Sequence, residues 1–63
     1  MEQPEEDFVV IVIRAWLQEG HSDALRARIT AWRADGHQRV RVASTPEAVC
    51  EAVTTTLDEL LPA

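Results

Sequence analysis

The segment ALRARITAWRADGHQRVRVA, residues 24–43, constrains the fold more than any other. In its first half Leu25, Ala27, Ile29 and Ala31 alternate with Arg26, Arg28, Thr30 and Trp32. A period of two puts one set on each side of a strand, so 24–33 reads as a strand with one buried face. Asp35-Gly36 then supplies a strong short hairpin signal, and QRVRVA alternates again. With Asp35 and Gly36 as the two central residues of a type I′ turn, Ala34 faces His37. The pairs then run Trp32–Arg39, Ala31–Val40, Thr30–Arg41 and Ile29–Val42. In that register the apolar positions of both strands coincide, and so do the polar ones.

Residues 8–17 are rich in Val and Ile and read as a further strand. EGHSD, 19–23, has turn chemistry. A helix opens at STPEAV: Ser44 and Glu47 fit a capping box, or Thr45 caps with Pro46 at the first helical position. Val49, Val53, Leu57, Leu60 and Leu61 form an apolar stripe with Cys50 beside it. The expected fold is α+β with order βββα: a three-stranded antiparallel meander and one C-terminal helix on one face. Residues 8–62 form that single domain, preceded by an acidic tail, 1–7.

A helix covers one side of a sheet. The first strand offers an odd set, Val9, Ile11, Ile13, Ala15 and Leu17, and an even set, Phe8, Val10, Val12, Arg14 and Trp16. Burying the odd set keeps Arg14 out of the core, where an unpaired charge costs several kcal/mol. The expected open face therefore carries Phe8, Val10, Val12, Arg14, Trp16, Arg26, Arg28, Trp32, Arg39 and Arg41, with Thr30 among them. Trp and Arg are enriched in binding hot spots, and an exposed apolar patch rimmed by charge marks an interaction surface. The competing reading closes the face with its own arginines, Trp32 opposite Arg39 making a cation–π pair.

Size adds pressure toward association. A chain of 63 residues buries only about 60% of its unfolded surface, and its single cysteine allows no internal disulfide. In a meander the first strand is an edge, and a long apolar edge invites pairing with another chain. A homodimer or higher homo-oligomer is expected. The N-terminal MEQPEED has no basic n-region, and the apolar run is shorter than the roughly 20 residues a membrane helix needs. Together with the lone cysteine, this points to a cytoplasmic protein with no membrane partner.

The chemistry of a catalyst is not visible. His21, Ser22 and Asp23 are consecutive, whereas triad members converge from separate elements. His21, His37 and Cys50 match no zinc spacing, and there are too few glycines for a phosphate loop. No enzyme activity, cofactor or metal is expected. The net charge of −5 disfavours nucleic acid, although an Arg/Trp sheet face is what single-strand binders use.

In size and strand order the chain resembles the MbtH-like accessory proteins of peptide synthetases. Their Ser-Leu-Trp-Pro signature is absent, the two Trp contexts here being RAWLQ and TAWRA, so no residue role carries over. The expected function is a small non-catalytic interaction or accessory module. It self-associates and docks on a larger protein through its open Trp/Arg face or first-strand edge; the alternative is a single-stranded nucleic-acid binder using the same face.

Overall fold

The computed structural model describes residues 7–19 and 24–62. Strand β1 is Val9–Gln18, β2 is Ala24–Arg33, β3 is Gln38–Ala43, and helix α1 is Pro46–Leu60. The strands form one antiparallel sheet in the order β1-β2-β3, so the expected βββα meander is the fold. The first strand lies one residue beyond its expected span of 8–17. Most of the acidic tail and most of the 19–23 turn, including His21, Ser22 and Asp23, lie outside the described residues.

Strands β1 and β2 pair without interruption from Val9↔Arg33 to Gln18↔Ala24. Ile13 stands opposite the buried Ile29, so the odd residues of β1 face the helix side, as expected. The Ala34 N–H donates to the Phe8 carbonyl at 3.1 Å, making Phe8 a hydrogen-bonded position. By the alternation of antiparallel ladders, the even residues of β1 direct their backbone groups toward β2. Those of Val9, Ile11, Ile13, Ala15 and Leu17 point outward, at the free edge.

The register of β3 differs from the expected one by one residue. The observed pairs are Ala27↔Ala43, Arg28↔Val42, Ile29↔Arg41, Thr30↔Val40 and Ala31↔Arg39. The loop is the cause. The Gly36 N–H donates to the Arg33 carbonyl and the Arg33 N–H to the His37 carbonyl, both at 2.9 Å. Ala34, Asp35 and Gly36 therefore form a three-residue loop, not a two-residue type I′ turn. Gly36 takes φ of +93°, the left-handed position that closes such loops. The Asp35 carboxylate accepts from the His37 N–H at 2.9 Å, which fixes the loop locally.

A one-residue slip exchanges the faces of a strand. Arg39, Arg41 and Ala43 thus face the helix, and Val40 and Val42 face away. Ala43 is buried while Val42 is 72% exposed. The helix rewards this arrangement: Arg39 Nη1 donates to both carboxylate oxygens of Glu59, at 3.1 and 2.9 Å. Glu51, Ala52 and Thr55 of α1 line the same depression as Arg41.

The core is small: Ala27, Ile29, Ala43 and Ala52, with Ile11, Ala48 and Val49 packed against it. Among the described residues Ile29 is the one large side chain that is fully buried; burying such a side chain is worth about 1.5–3 kcal/mol. Thr45 caps α1, its Oγ1 accepting from the Ala48 N–H at 3.1 Å, with Pro46 in the first turn. Of the two caps foreseen, this one forms.

The helix is not centred on its large apolar stripe: Val49, Val53 and Leu60 are only half-buried. Its buried residues are Ala52 and Thr56, and the Thr56 hydroxyl donates to the Ala52 carbonyl at 2.8 Å. Small residues let the helix approach Ala27 and Ala43 closely. Val49, Val53, Leu57 and Leu60 fall on one flank at helical spacing. Glu51, Thr55 and Glu59 occupy the opposite flank, beside β3, so the apolar flank looks toward β1. Leu57 and Leu61 are exposed there. Cys50, expected beside a buried stripe, is exposed.

Candidate docking face

The face without the helix can be read off the registers row by row. Val10, Trp32 and Gln38 stand side by side. Val12, Thr30 and Val40 form the next row. Arg14, Arg28 and Val42 follow, and then Trp16 beside Arg26. Phe8 closes the apolar end.

Eight of the ten residues expected on this face are there: Phe8, Val10, Val12, Arg14, Trp16, Arg26, Arg28 and Trp32. Arg39 and Arg41 are not; the β3 register carries them to the helix side. The Trp32–Arg39 cation–π pair of the competing, self-closed reading is therefore absent, since the two lie on opposite faces. Val40 and Val42 take their places. The face is more apolar, and less basic, than the sequence suggested. A signal for this was present: Glu51, Thr55 and Glu59 recur at four-residue spacing on one helix flank, and Arg39 and Arg41 complement them.

The side chains divide into an apolar half, Phe8, Val10, Val12, Trp32 and Val40, and a basic half, Arg14, Arg26 and Arg28 around Trp16. Phe8, Val10, Val12, Trp16, Trp32, Val40 and Val42 are all exposed. Every position on the face lacks a carboxylate. The described acidic residues lie instead on α1, in the hairpin loop, or at the ends of β1. The chain of net charge −5 thus presents one cationic side.

Arg14 and Arg28 are directly opposed across β1 and β2. Like charges so placed destabilise a sheet. Arg14 sits over the Trp16 ring, 5.5 Å from its centroid, and Arg26 Nε donates to Gln18 Oε1 at 2.8 Å. Among the described residues the ion pairs of arginines are Arg33–Asp7 and Arg39–Glu59, each at 2.9 Å. None involves the three arginines of the open face.

A cleft of about 320 Å³ lies between the β2–β3 hairpin and α1, lined by Arg33, His37, Arg39 and Glu59. Both of its arginines are engaged in the ion pairs just described. Among the described residues no group of three His, Cys, Asp or Glu is placed to hold a metal ion, and no helix is long and apolar enough to cross a membrane. No protein-family model, no curated protein and no solved structure matches this chain.

Proposed function

We propose that this chain is a non-catalytic interaction module that self-associates and docks its open sheet face on a larger protein bearing an apolar patch next to carboxylates. The opposition of Arg14 and Arg28 carries the reading. A folded chain that sets two arginines at directly paired positions, with a third diagonal to Arg14, retains a repulsion that an acidic partner would relieve. The apolar half supplies burial, and the aromatic rings at both ends supply anchors of the kind that dominate interface energetics.

A second reading is supported by Trp16 standing beside Arg26 and Arg14. An aromatic ring among guanidinium groups also suits a single-stranded nucleic acid, by stacking and phosphate contact. The negative charge of the whole chain works against it at long range.

Affinity purification of the tagged chain from its native cells tests the docking reading. Trp32→Ala and Arg28→Glu serve as controls, because neither side chain lies in the core. The wild-type chain is expected to retain a larger protein that both variants lose while still melting cooperatively. Retention that is equal in all three, or no retained protein at all, refutes it.

A further inference from the structure

We infer that the partner at the β1 edge is a second copy of this chain, paired antiparallel across a two-fold axis at Val12, giving a six-stranded sheet. The inference rests on the module reading above and specifies its self-association.

The edge carries none of the devices that keep strands from pairing. β1 is ten residues long and contains no Pro. Its ladder with β2 is unbroken, so no bulge turns it away. The chain has no Lys, and the one charge of β1, Arg14, projects from the open face and does not guard the edge. β3, the opposite edge, is only six residues long. The asymmetry selects β1.

Self-pairing suits this strand. A two-fold axis perpendicular to the sheet keeps odd residues opposite odd ones, so the outward backbone groups of Val9, Ile11, Ile13 and Ala15 meet their equivalents. An axis at Arg14 would set Arg14 against its own copy, and an axis at Ile13 would place the two Arg14 side chains diagonally. At Val12 the arginines separate. Phe8 then stands opposite Trp16 of the second copy, and Ile11 opposite Ile13, pairings of the kind that stabilise sheets. About ten inter-strand hydrogen bonds result. The two strands then run side by side over roughly 30 Å.

Both helices lie on the same side of such a sheet, each with its apolar flank toward the axis. Ile13, Leu17 and Leu57, exposed on this side of the single chain, come together there. On the other side the two open faces become continuous, and the three arginines are doubled.

Three measurements test the dimer. Light scattering at micromolar concentration should return twice the 7.1 kDa chain mass. Val12 occupies a non-hydrogen-bonded pair, where Cα atoms approach to about 4.5 Å, within reach of a disulfide. Val12→Cys in a Cys50→Ser background should therefore form a covalent dimer on mild oxidation, and Leu17→Cys should not. Ile13→Pro removes an N–H that the single chain does not use and should yield a folded monomer. If that variant unfolds, Ile13→Lys, at a half-exposed side chain, replaces it with the same expectation. A monomeric wild type overturns the inference, as does a dimer that survives the Ile13 variant or fails to cross-link at Val12. These outcomes are independent of the partner test, whose Trp32 and Arg28 variants leave the β1 edge intact.

Discussion

Ile29, the one large side chain fully buried in the sheet, lies directly opposite Arg41, and the neighbouring Val42 points away from the core. An apolar residue is turned out so that a cation can run beneath the helix. Arg41 lines the same depression as Glu51, and Arg39 pairs with Glu59. Long arginine stems cover apolar surface while their charged heads stay near the rim.

This register has a direct consequence for mutation. Val42→Thr should change stability by less than about 0.5 kcal/mol, as expected of an exposed site. Ala43→Glu should unfold the chain, since it forces a carboxylate among Ala27, Ile29 and Ala52. Ile29→Ala should cost about 2–5 kcal/mol. Thermal melts of the three variants decide between the observed register and its one-residue alternative, in which Val42 would be the sensitive site.

The strands and the helix were legible because their signals are local. The alternation in 24–33, the Asp-Gly loop and the Thr45-Pro46 helix start each reside in a few consecutive residues. The register of β3 was not. Asp35-Gly36 fits a two-residue loop and a three-residue one equally well, and alternation in QRVRVA fixes a period but not a phase. Pairing like with like favoured Val40 and Val42 inside. The choice is made by tertiary partners: Ala43 is small enough to be buried against α1, and Glu59 of α1 pairs with Arg39. The same cause displaced two of the expected face residues. It also made the helix rest on Ala52 and Thr56, leaving Leu57 exposed.

Gly36 should be the sensitive position of the hairpin. Its φ of +93° is unfavourable for any residue with a Cβ, while an added Cβ would meet no atom within 4 Å. The cost of Gly36→Ala is therefore one of backbone conformation alone, about 1–2 kcal/mol. Gly36→Asn should cost less, because Asn tolerates this region. Equal losses in chemical denaturation would contradict the conformational explanation.

Removing the Thr45 hydroxyl leaves the Ala48 N–H without its partner at the start of α1. Thr45→Ala should destabilise by about 1 kcal/mol, and Thr45→Ser or Thr45→Asp should restore most of it. Denaturant midpoints of the three variants provide the comparison. A loss that Ser fails to recover would assign the effect to the methyl group and not to the cap.

Arg28→Glu separates stability from binding. It replaces the repulsion between Arg14 and Arg28 by an attraction across the same pair of strands. The isolated chain should gain roughly 0.2–1 kcal/mol, and the gain should shrink as salt screens the pair. Docking to an acidic partner should weaken in the same variant. A protein made more stable and less able to bind is the signature of a residue kept for its partner; a variant that loses both would mark Arg28 as structural.

The corrected face also limits what nucleic-acid binding could look like. With Arg39 and Arg41 on the helix side, three arginines per chain remain to meet phosphates. For single strands each neutralised phosphate contributes about −0.7 to the log–log salt slope, so a slope near −2 per chain is the most the face can give. The net charge of −5 repels a polyanion before contact. Binding of a poly-pyrimidine strand at about 50 mM salt should consequently be no tighter than the 10⁻⁴–10⁻⁶ M typical of non-specific association. Fluorescence anisotropy with wild type and the Arg26→Ala/Arg28→Ala pair measures this. Submicromolar affinity with a slope near −2, flattened by one to two units in the double variant, would show phosphate contacts by these side chains and place the nucleic-acid reading ahead of the protein one.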